Sequence, residues 1–298
     1  MGRNMIAGVV AAAAAGWLSL TYAREAMTRA PAPTAPSSPS AQGQPAPVDI
    51  VEGRDGWLYP GWDYLVDERP AETASAIEQI VKMAEAARAR GSRVIVLLIP
   101  NKARVHHDRL PEDRAAWTAQ YADGFEQMAV RLRDRGIEVE TVWPQFSPRD
   151  AHWTGEAGEA AARQLATRLA AFQRSKGPKL PVPRWVEERR LGDLAALAKS
   201  RGDLRWSEDV FQRRDYVQPI PGKPTVEVVG NSFIDTYYGF PQELSRQLHV
   251  AVEHRVSYSG QGPWRAMRDY LANGEPRAAV IWQIQETSVS SFTPGALP

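Results

Sequence analysis

The sequence predicts an α/β protein, a three-layer α/β/α sandwich around a central parallel sheet of about five strands. Two observations carry this prediction. Apolar segments of strand length alternate with longer segments of helical periodicity, the pattern of a parallel sheet with helices on both faces. The segment 93–99 is aliphatic at every position after its first, as expected of a strand that is buried on both faces.

The predicted elements follow in a regular order after residue 50. A short strand and turn is predicted at 51–59. Beyond it, helices are predicted at 74–90, 114–135, 155–172, 191–199, 241–248 and 264–272, and strands at 93–99, 137–143, 226–229, 250–257 and 278–284. The segment 175–222 is rich in Pro and Arg, and one short helix is the only element predicted there.

The N-terminal region favours export of the protein. An apolar run from Met5 to Ala23, with Arg3 before it and Arg24 after it, is about long enough to cross a bilayer. The end of this run loosely resembles a small-residue cleavage site, so a signal peptide and an uncleaved membrane anchor both remain open for residues 1–29. We expect a periplasmic location, with membrane contact through this segment if it is retained.

Two further segments complete the predicted domain organisation. Residues 30–48 consist almost wholly of Pro, Ala, Ser and Gln, which bury too little apolar surface to offset the entropy of ordering, so we expect an extended linker. Residues 49–298 are predicted to form one catalytic domain.

Charge and cysteine content exclude several classes of function. The chain has 36 Lys and Arg against 35 Asp and Glu, a net charge of +1, and the two signs are interspersed, so nucleic-acid binding is unsupported. It has no cysteine, which excludes disulfides, thiolate metal sites and a cysteine nucleophile. No metal site and no cofactor are predicted.

A candidate nucleophile follows the strand at 226–229. The chain continues there as Gly230-Asn231-Ser232, which places Ser232 at the carboxyl edge of the sheet, where active sites of such folds gather. Gly230 permits a tight turn that leaves the Ser232 hydroxyl in a cleft and its backbone N–H free for an oxyanion. The alternative is that Asn231 and Ser232 only cap a helix.

A serine hydroxyl needs a base, and Asp150-Ala151-His152 offers one. Residues two apart in an extended segment point to the same side, so the Asp150 carboxylate can accept the Nδ1 proton of His152 and leave Nε2 for the serine. The alternative is that Asp150 is a turn residue and His152 a packed residue at a helix entry. The presence of all three groups at one sheet edge favours a catalytic triad.

Other polar and aromatic residues near the same edge are candidates for oxyanion or substrate binding. They either follow a central strand, lie beside the serine, or form an aromatic and amide wall after the strand at 250–257: Asn101, Lys102, Asn231, Tyr258, Gln261 and Trp264. Aromatic rings suit the apolar faces of sugars, although such rings are more often packed in a core.

The order of these motifs resembles the alginate O-acetyltransferases of the AlgX and AlgJ type. The resemblance covers residues 50–290 and includes a D-x-H-W box and a later G-x-S box. The matching segments are Asp55-Gly56-Trp57-Leu58-Tyr59, VIVLLIPNKARV ending at Val105, Leu110-Pro111, Asp150-Ala151-His152-Trp153, Gly230-Asn231-Ser232-Phe233 and Val280-Ile281-Trp282.

The resemblance implies an SGNH-hydrolase-like fold with a circularly permuted motif order. It implies a Ser232 nucleophile, a His152 base and an orienting Asp150, acting as an acyltransferase in exopolysaccharide biosynthesis. The acetyl donor would be a membrane-bound O-acyltransferase and the acceptor an exported polysaccharide, alginate-like or cellulose-like. The segment after Trp282 lacks the expected Glu-Arg ending, and the short remainder after residue 290 is closer to AlgJ than to AlgX.

Two alternative functions remain open from the sequence. The same triad would serve a carbohydrate esterase or deacetylase of the SGNH type, with water as the acceptor. A protein with an inactive site would act as a non-catalytic polysaccharide-binding scaffold.

Overall fold

The computed structural model describes residues 50–64, 70–112, 123–174, 177, 180–216, 220, 222–258, 261–290 and 292. The predicted N-terminal segment at 1–29, the predicted linker at 30–48 and the first part of the helix at 114–135 lie outside these residues. Within them, no helix has both the length and the apolar composition that a bilayer crossing requires.

Five parallel strands form the central sheet, which confirms the predicted fold class. The strands of the whole described chain are β1 (Ile50–Glu52), β2 (Leu58–Pro60), β3 (Arg93–Ile99), β4 (Glu138–Thr141), β5 (Arg184–Arg190), β6 (Asp209–Asp215), β7 (Val226–Gly230), β8 (Val252–Val256) and β9 (Ala279–Gln285). The order in the central sheet is β4-β3-β9-β7-β8, and every pairing in it is parallel.

Helices cover both faces of this sheet. The helices are α1 (Pro70–Ala89), α2 (Lys102–Val105), α3 (Gly124–Asp134), α4 (Gly155–Arg168), α5 (Asp193–Ser200), α6 (Phe240–Leu248), α7 (Gly262–Asn273) and α8 (Glu286–Ser290). Apolar residues of α1, α3 and α7 pack on one face, and those of α4 and α6 on the other. The result is three layers.

Strand β3 shows why both faces need cover. Alternate side chains of a strand point to opposite faces. Val94, Val96 and Leu98 enter the core under α1, α3 and α7, whereas Ile95, Leu97 and Ile99 enter the core under α4 and α6. All six side chains are almost fully buried. An unbroken aliphatic run is therefore the sequence that this position requires.

Two antiparallel hairpins lie outside the central sheet. One pairs β1 with β2, as the predicted strand and turn at 51–59 leads us to expect. The other pairs β5 with β6 in the register Arg184 to Asp215 through Arg190 to Asp209. The sequence analysis predicted only the short helix α5 in this region and missed the hairpin, because its strands are charged and half-exposed rather than apolar.

Truncation of a core side chain tests this layering. We expect Leu97→Ala to lower the free energy of unfolding by about 2–5 kcal/mol, because it leaves a cavity under α4 and α6. The measurement is denaturant unfolding of the full chain. Leu204→Ala is the matched control, since Leu204 is 74% exposed and Leu97 fully buried; the control should change stability by less than about 0.5 kcal/mol. Equal effects of the two variants would contradict the core assigned here.

Candidate active site

Ser232 lies directly beyond the carboxyl end of β7. Strand β7 ends at Gly230, and Ser232 opens a 3₁₀ turn over Ser232–Ile234. The Asn231 side chain accepts a hydrogen bond from the backbone N–H of Phe233 at 3.2 Å. A Cβ atom at Gly230 would lie 2.4 Å from Oε1 of Gln283 on the neighbouring strand β9, so glycine permits this close approach.

The turn leaves a donor available beside the serine oxygen. The backbone N–H of Asn231 donates to Oε1 of Gln283 at 3.0 Å. No acceptor for the backbone N–H of Ser232 is found among the residues for which the structure gives positions. This N–H belongs to the same residue as the hydroxyl, so it is a candidate donor to the oxyanion that forms on an acyl carbonyl oxygen when that hydroxyl attacks.

Asp150 and His152 lie on a tight loop between β4 and α4. An isolated bridge between Phe146 and Trp153 closes the loop, and the backbone N–H of Ser147 donates to the His152 carbonyl at 3.1 Å. Within it, Oδ1 of Asp150 accepts the backbone N–H of His152 at 3.0 Å, a local bond typical of aspartate in turns. The loop therefore fixes both side chains relative to each other.

The three predicted triad residues come together. Oδ1 of Asp150 lies 2.7 Å from Nδ1 of His152, and Nε2 of the same ring lies 2.7 Å from Oγ of Ser232. The Asp150 side chain is 1% exposed and the His152 side chain 12% exposed. The histidine ring stacks on Tyr238 with centroids 4.9 Å apart and also contacts Phe233. Packing and hydrogen bonds thus hold the imidazole in one orientation.

Charges in the site oppose the effect of burial on both groups. Burial alone would raise the pKa of Asp150, but its hydrogen bond to His152 and the charges of His152 and Arg190 hold that pKa well below its usual range. Burial alone would lower the pKa of His152, but hydrogen bonds to Asp150 and Asp193 and the charges of both carboxylates raise it to about 10. The pair therefore favours a carboxylate beside an imidazolium.

Arg190 completes the surroundings of Asp150 and was missed by the sequence analysis. Its guanidinium donates to Oδ2 of Asp150 at 3.0 Å and to the Tyr237 hydroxyl at 2.9 Å. The guanidinium carbon lies 3.8 Å from the centroid of the Phe211 ring. No local pattern marks this residue in the charged segment of β5, because its role depends on a hairpin that brings it to a distant loop.

Asp193 is a second acidic residue near His152 and was also missed. It is the first residue of α5, and its Oδ2 lies 3.4 Å from Nδ1 of His152. The preceding residue, Gly192, has no space for a side chain, since a Cβ atom would lie 2.2 Å from the carbonyl oxygen of Arg149. In the sequence, Gly192-Asp193 looks like an ordinary helix start.

Lys102 is not a substrate-binding residue in this structure, contrary to the sequence-based prediction. The side chain is fully buried. Its Nζ donates to backbone carbonyl oxygens of Leu58, Ser147 and Pro148 at 2.7 Å each and of Asp150 at 2.9 Å. Burial lowers the pKa of Lys102, and the charges of Asp150 and Asp193 oppose that change. Lys102 holds the loop that carries Asp150.

Asn101 is also structural. Its side chain is fully buried, and its Oδ1 accepts hydrogen bonds from the backbone N–H of Thr287, at 3.2 Å, and from the Thr287 hydroxyl. Its Nδ2 donates to the Asp63 carbonyl at 3.3 Å. These partners tie the end of β3 to α8, so the predicted role in oxyanion or sugar binding does not fit the structure.

The remaining candidates divide between core and surface. Trp264 is fully buried, donates its indole N–H to the Ser288 carbonyl at 3.0 Å and packs against Trp282, so it offers no face to a sugar. Tyr258 is 40% exposed and its hydroxyl bonds to Asp235. Gln261 is half-buried at the start of α7. Tyr258 and Gln261 keep the predicted role as an expectation.

Within the described ranges, one group of acidic and histidine side chains has donor atoms close enough to share a metal ion, all within 4.8 Å of one another. This group consists of Asp150, His152 and Asp193. Their oxygens already accept hydrogen bonds, from Arg190 on Asp150 and from backbone N–H groups on Asp193. A guanidinium on one carboxylate opposes a further cation there. The donor set suits an imidazolium better than a metal.

Comparison with known proteins finds relatives of similar sequence. The sequence is 25% identical over 272 residues to a protein of Pseudomonas syringae pv. tomato named "Probable alginate O-acetylase AlgJ", with 80% of this chain and 68% of the relative covered. It is 22% identical over 269 residues to "Alginate biosynthesis protein AlgX" of Pseudomonas fluorescens, with 78% and 55% covered. The chain thus spans about half the length of the AlgX relative.

Solved structures show the same fold. The O-acetyltransferase domain of Pseudomonas putida AlgJ superposes with a TM-score of 0.64 at 20% identity, over 83% of this chain and 94% of the other. Pseudomonas aeruginosa AlgX superposes with a TM-score of 0.57 at 16% identity, over 84% and 68%. Residues 50–286 match the family described as "SGNH hydrolase-like domain, acetyltransferase AlgX". The chain therefore belongs to this family of SGNH hydrolase-like acetyltransferase domains.

Proposed function

We propose that this protein is an O-acetyltransferase that moves an acetyl group through an acetyl-Ser232 intermediate onto an exported polysaccharide. The observation that carries the proposal is the continuous hydrogen-bonded series from Asp150 through His152 to Ser232, with both distances at 2.7 Å. This is the arrangement that a serine nucleophile requires, a base within hydrogen-bond reach and a third group that orients the base.

The first half-reaction forms the acyl-enzyme. Oγ of Ser232 attacks the acetyl carbonyl of the donor while Nε2 of His152 takes the hydroxyl proton. The tetrahedral oxyanion lies beside the backbone N–H of Ser232, a donor that strengthens as negative charge develops. The intermediate then breaks the bond to the donor, whose leaving oxygen takes the proton from His152. Asp150 keeps the ring oriented and stabilises the imidazolium that forms between these two transfers.

The second half-reaction repeats the chemistry with a sugar hydroxyl as the nucleophile. His152 takes the proton of that hydroxyl, the sugar oxygen attacks acetyl-Ser232, and the proton passes to Oγ of Ser232 as the ester bond breaks. Water in place of the sugar would give an esterase. The two reactions differ only in the acceptor, so a measurement with competing acceptors separates them.

The donor, the acceptor and the location are parts of the same proposal. The relatives named for alginate O-acetylation and biosynthesis support a polysaccharide acceptor of the alginate type, and a cellulose-like polymer is the second choice. The apolar run at 5–23 followed by a Pro-rich segment supports a periplasmic protein near the inner membrane. There a membrane-bound O-acyltransferase would supply acetyl groups.

The first prediction of this mechanism concerns the nucleophile. We expect Ser232→Ala to abolish covalent acetyl labelling and transfer from a chromogenic acetyl ester to a panel of oligosaccharides, because the attacking oxygen is gone. Mass spectrometry of the enzyme and of the oligosaccharides provides the readout. Ser200→Ala is the matched control, since that exposed hydroxyl bonds only to a carbonyl of its own helix at 2.7 Å among the contacts described. Labelling of the Ser232→Ala protein equal to that of the control would refute the mechanism.

The second prediction concerns the orienting carboxylate. We expect Asp150→Asn to lower turnover by up to roughly 10⁴, the loss found when the corresponding aspartate of a serine protease becomes an amide. The measurement is turnover at saturating donor, with the melting temperature recorded in parallel. Asp203→Asn removes the same charge from a loop where Asp203 pairs with Arg205 at 2.8 Å, and it should leave turnover unchanged. A loss below about tenfold in Asp150→Asn would limit Asp150 to a structural role.

The third prediction concerns pH. His152 must be neutral to accept a proton, and its pKa is raised to about 10 by the two carboxylates. The neutral fraction of the imidazole therefore grows as pH rises through the neutral range, so turnover should rise with pH between about 6 and 9 rather than level off above the ordinary histidine pKa near 6.5. Initial rates corrected for uncatalysed ester hydrolysis provide the test. A plateau from pH 7 upward would contradict the raised pKa.

A further inference from the structure

Two carboxylates converge on one nitrogen of the candidate base. Oδ1 of Asp150 lies 2.7 Å from Nδ1 of His152, and Oδ2 of Asp193 lies 3.4 Å from the same atom. We propose that Asp193 is a positioning residue for His152, a second acidic partner that holds the ring in place and stabilises its charged form during each acyl transfer. This inference deepens the proposed function and rests on it.

The structure fixes Asp193 against the loop that carries the base. Its Oδ1 accepts hydrogen bonds from the backbone N–H groups of Ala151, at 2.6 Å, and Leu194, at 2.7 Å. Its own backbone N–H donates to Oδ2 of Asp150 at 3.2 Å. One oxygen of Asp193 therefore ties the start of α5 to the loop, and the other is left to face the imidazole.

Close backbone packing makes this placement rigid. Gly192 lies so near the loop that a Cβ atom there would be 2.2 Å from the Arg149 carbonyl oxygen and 3.0 Å from the backbone nitrogen of Asp150. The backbone N–H of Ala195, the third residue of α5, donates to the same Arg149 carbonyl at 3.2 Å. The helix start and the loop thus form one packed unit, and Asp193 cannot move away from His152 without breaking it.

Two cations beside Asp150 reduce the negative potential that this carboxylate alone creates at the His152 ring. Arg190 donates to Oδ2 of Asp150 at 3.0 Å, and Lys102 places its ammonium on the Asp150 carbonyl oxygen at 2.9 Å. The positive charge of each group offsets part of the negative potential of Asp150 at the imidazole. The guanidinium of Arg190 makes no ion pair with Asp193 within the described residues, so the charge of Asp193 remains directed at Nδ1.

The other groups that face His152 do not supply this charge. Tyr238 stacks on one side of the ring and Ser232 accepts or donates at Nε2; both are neutral partners. Asp209 is paired with Arg149 at 3.1 Å and is not among the residues that contact the His152 ring. Burial and the charge of Asp150 raise the pKa of Asp193 itself, and the hydrogen bond to His152 and the charge of that ring oppose this change.

The variant that tests the inference is Asp193→Asn. The amide oxygen can still accept from the backbone N–H groups of Ala151 and Leu194, so the fold should persist while the charge is lost. The matched control is Glu187→Gln. It removes one carboxylate from the exposed face of β5, where Glu187 accepts from Gln212 at 2.8 Å rather than facing His152.

Two readouts are measured on the full chain. The first is an NMR titration of the His152 imidazole, assigned by loss of its signal in His152→Ala. We expect Asp193→Asn to weaken proton binding by His152 tenfold or more, since an opposite charge at this range commonly shifts a pKa by about 1–3. The second is the pH profile of turnover, whose acid limb should move to lower pH in Asp193→Asn and stay unchanged in Glu187→Gln.

The outcomes separate this inference from the proposed function. An unchanged His152 titration in Asp193→Asn, together with a displaced one in Asp150→Asn, would overturn the inference and limit Asp193 to holding the loop through the backbone N–H of Ala151. A displaced titration with an unmoved acid limb would also overturn it, because Asp193 would then not act on the reacting base. A wild type without serine-dependent transfer would defeat the proposed function, whereas the His152 titration would still show whether Asp193 acts on that ring.

Discussion

The site depends on one buried carboxylate, that of Asp150. A carboxylate withdrawn from water is costly unless its oxygens find charged or hydrogen-bonding partners. Oδ1 of Asp150 faces the backbone N–H and the ring of His152, and Oδ2 faces Arg190 and the backbone N–H of Asp193. A loop, a hairpin and a helix start must therefore meet at one point, and their meeting also places the imidazole next to Ser232.

The topology of the sheet explains why the loop after β4 needs support. In the order β4-β3-β9-β7-β8, two strands separate the end of β4 from the end of β7, where Ser232 lies. The loop must cross that distance along the carboxyl edge to bring His152 to the serine. Lys102 follows β3, the first strand on this path, and its ammonium holds the loop by the carbonyls of Ser147, Pro148 and Asp150.

Local sequence patterns predicted the fold class and the residues that follow the strands. The aliphatic run at 93–99 identified β3, because both faces of that strand are buried. The ends of predicted strands pointed to Asp150, His152 and Ser232, because all three residues follow a strand. The sequence could not predict Arg190 or Asp193, whose partners lie about forty residues away in the chain. It misjudged Lys102 and Trp264 because proximity to a strand end does not say whether a side chain points outward or into the core.

The contacts of Lys102 have a consequence for the environment that this domain tolerates. Four carbonyl dipoles converge on a single Nζ, much as carbonyl oxygens surround a dehydrated potassium ion in a channel filter. Here the nitrogen belongs to a lysine side chain, so it is covalently attached to the protein and does not exchange with the medium. The group that binds these carbonyl oxygens is therefore supplied by the chain and not by a dissolved salt.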